Sequence, residues 1–272
     1  MIREPAVAGR FYPSNPAQLE RDVRNFLATE KGATPAAFLR AIGCIVPHAG
    51  YMYSGAVAGA VLSRLELPRR FIILCPRHYP QGAPLAILSE GAWRTPLGDA
   101  PLDAPLADAI ARACPLLRED DVAHATEHAI EVQLPFLQEL KPEFRFVPIA
   151  LGTDRFQSFE DLGKAIATVV AAQPEPVLVV ASSDMNHYES DEITRRKDAR
   201  AIDRILALDP RGLYDVVRRE NITMCGYGPA TTMLVAAKQL GATRAELIRY
   251  ATSADVSGDT SWCVGYAGIA IL

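Results

Sequence analysis

Short runs of consecutive apolar residues alternate along this chain with longer stretches whose apolar residues recur every three to four positions. Four of the short runs, AIGCIV (41–46), FIILC (71–75), FRFVPIAL (144–151) and PVLVVA (176–181), are bounded by Pro, Gly or Ser. Runs of this length without alternation predict strands buried on both faces. The first helix is announced by Ser14 and Asn15 as caps and by Pro16 at the first helical position. Leu19, Val23, Phe26 and Leu27 then share one face until Gly32 stops the helix. Helical spacing recurs in SGAVAGAVLSRL (54–65), around EHAIEVQLPFLQEL (127–140) and in SFEDLGKAIATVVAA (158–172). LAILS (85–89) and AWRT (92–95) predict a hairpin. TRRKDARAIDRILAL (194–208), RGLYDVVRRE (211–220) and Pro229 to Leu240 predict three more helices, and strands are expected near 246–252 and 262–271.

Strands that alternate with helices predict an α/β fold whose sheet has substantial parallel pairing and is covered on both faces. No low-complexity linker or fixed repeat divides the chain, so one domain over 1–272 is expected. Composition agrees with an ordinary globular protein, at 49% apolar and 22% charged residues. The formal charge is −4, and basic residues come only in short groups such as Arg195, Arg196 and Lys197. That argues against nucleic acid as a partner and for a solvated helix face. No stretch approaches the roughly 18 apolar residues of a membrane span, and the start, MIREPAVAGRFYPSNP, lacks the apolar centre of a signal peptide. A cytoplasmic location without membrane association is expected. Cys44, Cys75, Cys114, Cys225 and Cys263 are widely spaced with no CxxC pair, which reads as reduced thiols.

The histidines carry the chemical signal. Of only five, three follow the carboxyl ends of predicted core strands: His48 in CIVPHAGYMYSG, His78 in ILCPRHYP and His187 in VVASSDMNHY. In open α/β sheets, ligands bind beyond that strand edge, where loops present side chains on a rigid base. Pro47 and Pro76 precede His48 and His78 closely, and proline ends the ladder with a fixed φ so that the next side chain can be aimed. His124 and His128 lie in HATEHAIEVQ, where His128 and Glu131 are placed three apart on one helix face. The spacing is not HExxH, which excludes that zinc-protease motif. His128 either lines the pocket as a hydrogen-bond donor or starts the helix. Cys225 precedes a predicted helix, where exposed N–H groups favour a thiolate, so it is either a ligand or nucleophile or a core residue.

Two neutral imidazoles and one anionic ligand, with coordination positions left open, suit Fe(II). A thiolate in place of the carboxylate softens such a site, so copper and zinc compete with iron. Asp184 and His187, in SSDMNH, would supply an oriented general base; an Asx turn is the alternative role for Asp184.

AGRFYP, PHAGYMYSG, CPRHYP, WRTPLGD, EHAIEVQLPFL, SSDMNHY and CGYGP together span nearly the whole chain. These motifs resemble the MEMO family, known in animals as a mediator of cell motility and in prokaryotes as AmmeMemoRadiSam system protein B. The resemblance implies a three-layer α/β/α sandwich with a central, largely parallel or mixed sheet, similar to the LigB-like class III extradiol dioxygenases. It further implies iron or copper on His48, His78 and Cys225, with His187 as acid/base and Asp184 nearby. Tyr51, Arg77, His128 and Glu131 are further residues expected to line the pocket. Some relatives have Ser and a second His where this chain has Arg77 and Tyr79, which puts substrate preference outside the resemblance. The implied activity is that of a metal-dependent, dioxygenase-like oxidoreductase acting on an unidentified small molecule or peptide. The alternatives are a scaffold recognising a peptide or partner at the same pocket, and a zinc hydrolase. The prokaryotic name implies radical SAM and AMMECR-type partner proteins, and the animal relatives are linked to phosphotyrosine-peptide signalling.

Overall fold

The computed structural model describes residues 1–28 and 38–272, so the stop expected at Gly32 lies outside the described residues. In chain order the elements begin with β1 (Ile2–Arg3), α1 (Pro16–Ala28), β2 (Gly43–Val46), α2 (Tyr51–Arg64) and β3 (Arg70–Pro76). There follow β4 (Leu85–Ile87), β5 (Ala92–Thr95), β6 (Gly98–Pro101), α3 (Ala104–Ala113), β7 (Arg118–Glu119) and α4 (Val122–Ala125). A 3-10 turn at Glu131–Gln133 leads into α5 (Leu134–Leu140), then β8 (Arg145–Leu151), α6 (Phe156–Ala171), β9 (Val177–Ser182) and β10 (His187–Glu189). The chain ends with α7 (Asp191–Leu206), α8 (Pro210–Arg219), α9 (Tyr227–Gln239), β11 (Ala245–Thr252), α10 (Ala254–Ser257) and β12 (Cys263–Ile271).

The main sheet runs β10-β12-β2-β9-β3-β8-β4-β7, with β11 paired along β12. Its centre, β2-β9-β3-β8, is wholly parallel, whereas β12 joins β2, and β4 joins β8, in antiparallel fashion. The sheet is therefore mixed, and the parallel centre brings the carboxyl ends of four strands to one edge. Successive residues of these strands feed two separate cores. Ile72, Leu74, Val147, Ile149 and Val179 pack with α3, α6, α7, α8 and α9. Phe71, Ile73, Phe146, Leu178 and Val180 pack with α1, α2 and α5. The side-chain period of two thus turns each apolar run into both faces of a three-layer α/β/α sandwich.

The four apolar runs are β2, β3, β8 and β9, and the predicted helices at 54–65, 158–172, 194–208, 211–220 and 229–240 are α2, α6, α7, α8 and α9. Asn15 caps α1 by accepting the Gln18 N–H. Two expectations are overturned. LAILS and AWRT do not pair: β4 enters the main sheet, while β5 joins β1 and β6 in a small separate sheet. Gly91 takes φ +109 between them, and the actual hairpin is β5–β6, closed by Pro96 and Leu97, with Gly98 at φ +118. The other correction concerns 127–140, which is not one helix. Regular helix begins only at Leu134, where Pro135 occupies the first turn. His128 and Glu131 consequently do not share a helix face. Helix α3, opened by the Asp103 side chain accepting the Leu106 N–H, is an element that the apolar pattern did not reveal. Among the described residues no helix is long and apolar enough to cross a membrane.

A buried ion pair ties the amino-terminal segment to this framework. Glu131 receives Arg3 Nη1 at 2.7 Å, the Ala6 and Val7 N–H groups and the Tyr12 hydroxyl at 2.6 Å. Arg3 also donates to the carbonyls of His124 and Glu127 and lies over the Trp93 ring. Removing one partner of a buried pair leaves the other charge uncompensated, at a cost of about 3–5 kcal/mol. Glu131→Ala is expected to lose stability on that scale in urea unfolding, and a loss under about 1 kcal/mol would show the pin to be dispensable.

Candidate metal centre

His48 follows β2 and His78 follows β3, flanking the end of β9 that lies between those strands. His128 approaches from the segment before α5. One ligand atom from each of the three imidazoles lies within 4.8 Å of the others. The rings of His78 and His128 stack at 4.7 Å between centroids, and His48 stands edge-on to both.

Acceptor-only partners define which nitrogen carries the proton. Ser182 Oγ donates to the Ala129 carbonyl at 2.6 Å, so it can only accept from His48 Nδ1 at 3.0 Å and from Gln133 Nε2. Neutral His48 is therefore protonated on Nδ1, and its Nε2 keeps a lone pair. Glu127 is fully buried and accepts His78 Nδ1–H at 2.9 Å, the His78 backbone N–H at 2.7 Å and the Ala129 N–H. His78 Nε2 is thereby left for a ligand, the carboxylate–imidazole arrangement common at metal sites. Burial alone would raise the Glu127 pKa, but the His78 hydrogen bond and charge outweigh it and hold it down to about 2. In turn, Glu127 lifts His78 above its usual value against the opposing effect of burial. His48 is pushed well below the imidazole range by burial and by its neighbour His78. Burial and His48 lower His128 to about 4, and its buried Nδ1 has no hydrogen-bond partner among the described residues.

Cys225 ends the turn before α9, with Sγ 3.2 Å from His48 Nε2. It touches one member of the imidazole group but stands outside that group. The Asp184 N–H points at the sulfur, and Gly226 N–H donates to Ser183 Oγ. A Cβ on Gly226 would overlap Ser182 and Ser183, so glycine allows the two loops to meet. In the metal-free protein, burial works against the helix-start argument for a thiolate. Burial, reinforced by the Asp184 carboxylate, pushes the thiol well above its usual pKa.

Asp184 Oδ1 accepts the His48 backbone N–H at 2.7 Å, and its Oδ2 lies 4.0 Å from His48 Nε2. Burial raises its pKa. It braces His48, whereas the His187 ring is oriented by Thr223. His187 Nδ1–H donates to the Thr223 carbonyl at 2.7 Å, and its backbone N–H donates to Thr223 Oγ1. His187 lies in β10, and its Nε2 is the ring nitrogen left outside that bond.

The remaining residues named from sequence are scattered around this centre. The Glu131 carboxylate is turned to the amino-terminal segment, and buried Tyr51 donates its hydroxyl to the Val132 carbonyl. Arg77 lines a cavity that also reaches His78 and Cys225.

Residues 3–270 match the family described as Memo-like protein. The chain belongs to the Memo-like family. It is 42% identical to a MEMO1 family protein of Methanothermobacter thermautotrophicus, covering 98% of this chain and 99% of that one. A MEMO1 family protein of Methanopyrus kandleri is 43% identical, with 99% and 98% covered. In fold alone, the chain resembles a crystal structure of an uncharacterized Escherichia coli K12 protein. The TM-score is 0.53 at 13% identity, covering 83% of this chain and 99% of that one.

For this Memo-like protein, sequence reasoning passed over Glu127 and Ser182, which set the ring orientations of His78 and His48, and placed His128 only as a candidate lining residue, whereas it joins His48 and His78 in the imidazole group. An acid immediately before a histidine in ATEHAIE was the available signal for Glu127. In Ser182 nothing distinguishes the residue until β2 and β9 pair. Imidazole NMR of the metal-free protein is expected to show Nδ1–H tautomers for His48 and His187. His128 should remain neutral at pH 5.5, because burial opposes the imidazolium until about pH 4. As pH falls from about 6.5 towards 4, the unfolded chain binds that proton first, so His128 makes the fold progressively less stable. Titration of His128 near 6.5 would contradict the packing described.

Proposed function

We propose that this protein is a metal-dependent oxidoreductase whose iron or copper ion is held by His48, His78 and His128, with Cys225 alongside. The carrying observation is the convergence of three imidazole ligand atoms within 4.8 Å. The residues fit such an ion. Hydrogen bonding leaves lone pairs on His48 Nε2 and His78 Nε2, and His128 presents a buried Nδ1 that makes no hydrogen bond among the described residues and lies 3.5 Å from Glu127 Oε1. When bound, the metal would supply a Lewis-acidic centre able to change oxidation state.

The Cys225 sulfur, 3.2 Å from His48 Nε2, would add a soft donor on losing its proton to a bound cation, which would favour iron and copper over harder cations. Glu127 holds the His78 ring and strengthens it as a donor. Asp184 fixes the His48 backbone. His187, locked by Thr223, takes or gives a proton at Nε2. A second reading, a zinc hydrolase, is favoured by one specific feature: a group of three imidazoles is also a ligand set that would hold catalytic zinc.

Metal analysis after anaerobic purification tests both readings. One iron or copper per chain is expected, together with oxygen uptake or dye reduction across a panel of small organic substrates. His48→Ala and His78→Ala should abolish loading, and Glu127→Gln should weaken it about 10–100-fold. Stoichiometric zinc with hydrolytic activity would favour the second reading. The absence of any stoichiometric transition metal would overturn both.

A further inference from the structure

A cavity of about 630 Å³ opens at the carboxyl ends of β3 and β8, and His78 and Cys225 form part of its wall. Its size falls within the roughly 300–1,000 Å³ of small-molecule sites. Arg77, the first residue after β3, lines the same cavity. Its Nη1 donates to the carbonyl of Gly82 and, at 3.3 and 3.2 Å, faces those of Gln81 and Ala83. The guanidinium is thus fixed from one end. It packs over Gly152, where a Cβ would overlap Nε, Cζ and Nη2.

Two guanidinium groups that lie largely out of solvent have carboxylate partners: Arg3 with Glu131, and Arg70 with Asp103 through two contacts. Arg77 differs. Among the described residues no carboxylate pairs with it, and its Nε and Nη2 donate to no protein group. Asp154 also borders the cavity, but its charge is shared with Arg218 at 3.3 Å. The Glu127 charge is committed to His78. The cavity therefore presents a planar guanidinium, held from one end, that has no carboxylate partner among the described residues. A planar monoanion that presents two oxygens is its natural complement.

We propose that this cavity is a subsite for a small monocarboxylate, with the carboxylate on Nε and Nη2 of Arg77 and the rest of the molecule directed along the wall towards His78 and Cys225. That the ligand is a substrate rests on the metal-centre reading; that the cavity binds an anion does not. Half-exposed Tyr79 at the rim supplies an apolar face for the remainder of the molecule.

The test uses the metal-free full chain at constant ionic strength, titrated with benzoate and followed by NMR of the backbone and arginine Nε–H groups. Separate arms use benzyl alcohol and inorganic phosphate. Saturable benzoate binding that shifts Arg77 Nε–H and Gly152 N–H is expected, with no response to benzyl alcohol. Arg77→Met should weaken binding at least about tenfold, since charge-assisted hydrogen bonds are lost. Gly152→Ala keeps the charge but displaces the guanidinium, and should also weaken binding. Wild-type affinity in both variants, or equal binding of benzyl alcohol, would overturn the site. Tighter binding of phosphate than of benzoate would overturn the carboxylate assignment. Because no metal is present, failure here leaves the metal-centre reading standing, and failure of metal loading leaves the anion result standing.

Discussion

One buried carboxylate organises the centre. Glu127 has no exposed side-chain surface and remains ionised because three donors converge on it: the His78 ring, the His78 backbone and the Ala129 N–H. An unpaired carboxylate at that depth would instead be neutralised by protonation. The same three bonds fix the loop after β3, the ring of His78 and the turn that carries His128. Ala129, held through its N–H by Glu127, offers its carbonyl to Ser182, whose hydroxyl then has only lone pairs left for His48. A single hydrogen-bond chain thus runs from one strand end to the other and defines the protonated nitrogen of both His48 and His78.

That chain depends on two larger constraints. Parallel pairing of β2, β9 and β3 brings three strand ends side by side, so residues far apart in sequence become neighbours without long, flexible loops. The segment 124–131 is not part of that sheet and requires its own anchor. The Arg3–Glu131 pair provides it, tying the segment to residues 3–12 through Arg3, Ala6, Val7 and Tyr12. The amino-terminal segment contributes no ligand, yet it holds the segment that carries His128.

The fold was largely readable because the central strands are apolar on both faces and the helices repeat their apolar residues every three to four positions. His48 and His78 were readable for a related reason: each follows an apolar run and a proline. The failures share a physical cause. The separation of β4 from β5 is decided by Trp93, which packs on Phe146 and beneath Arg3, contacts that local periodicity does not contain. The break before Leu134 depends on Glu127 capturing the Ala129 N–H, and helical spacing of apolar residues says nothing about such a competitor. Ser182 interacts with His48 across 134 positions, so its role exists only once the sheet has formed. The thiol of Cys225 shows the converse: in the metal-free protein the local argument from the helix start is opposed by burial and a neighbouring carboxylate.

His187 is anchored independently of the imidazole cluster. Thr223 holds its ring and backbone, and Asn186 holds Thr223 by accepting both the N–H and the hydroxyl. Asn186 is held in turn by Asp198, which accepts its backbone N–H while also receiving the Tyr250 hydroxyl. Burial lifts the Asp198 pKa to about 7, and Gly265 must lack a side chain for that carboxyl to fit. Because β10 pairs with β12 through only two residue pairs and an irregular register, the sheet alone would hold His187 loosely. The side-chain chain from Thr223 to Asp198 supplies the missing rigidity from α7 and β11. Two anchoring systems therefore meet at one strand edge, one orienting the lone pairs of His48 and His78 and the other the ring of His187. The loop 182–187 joins them, since it contains Ser182 and Asp184 from the first and Asn186 and His187 from the second.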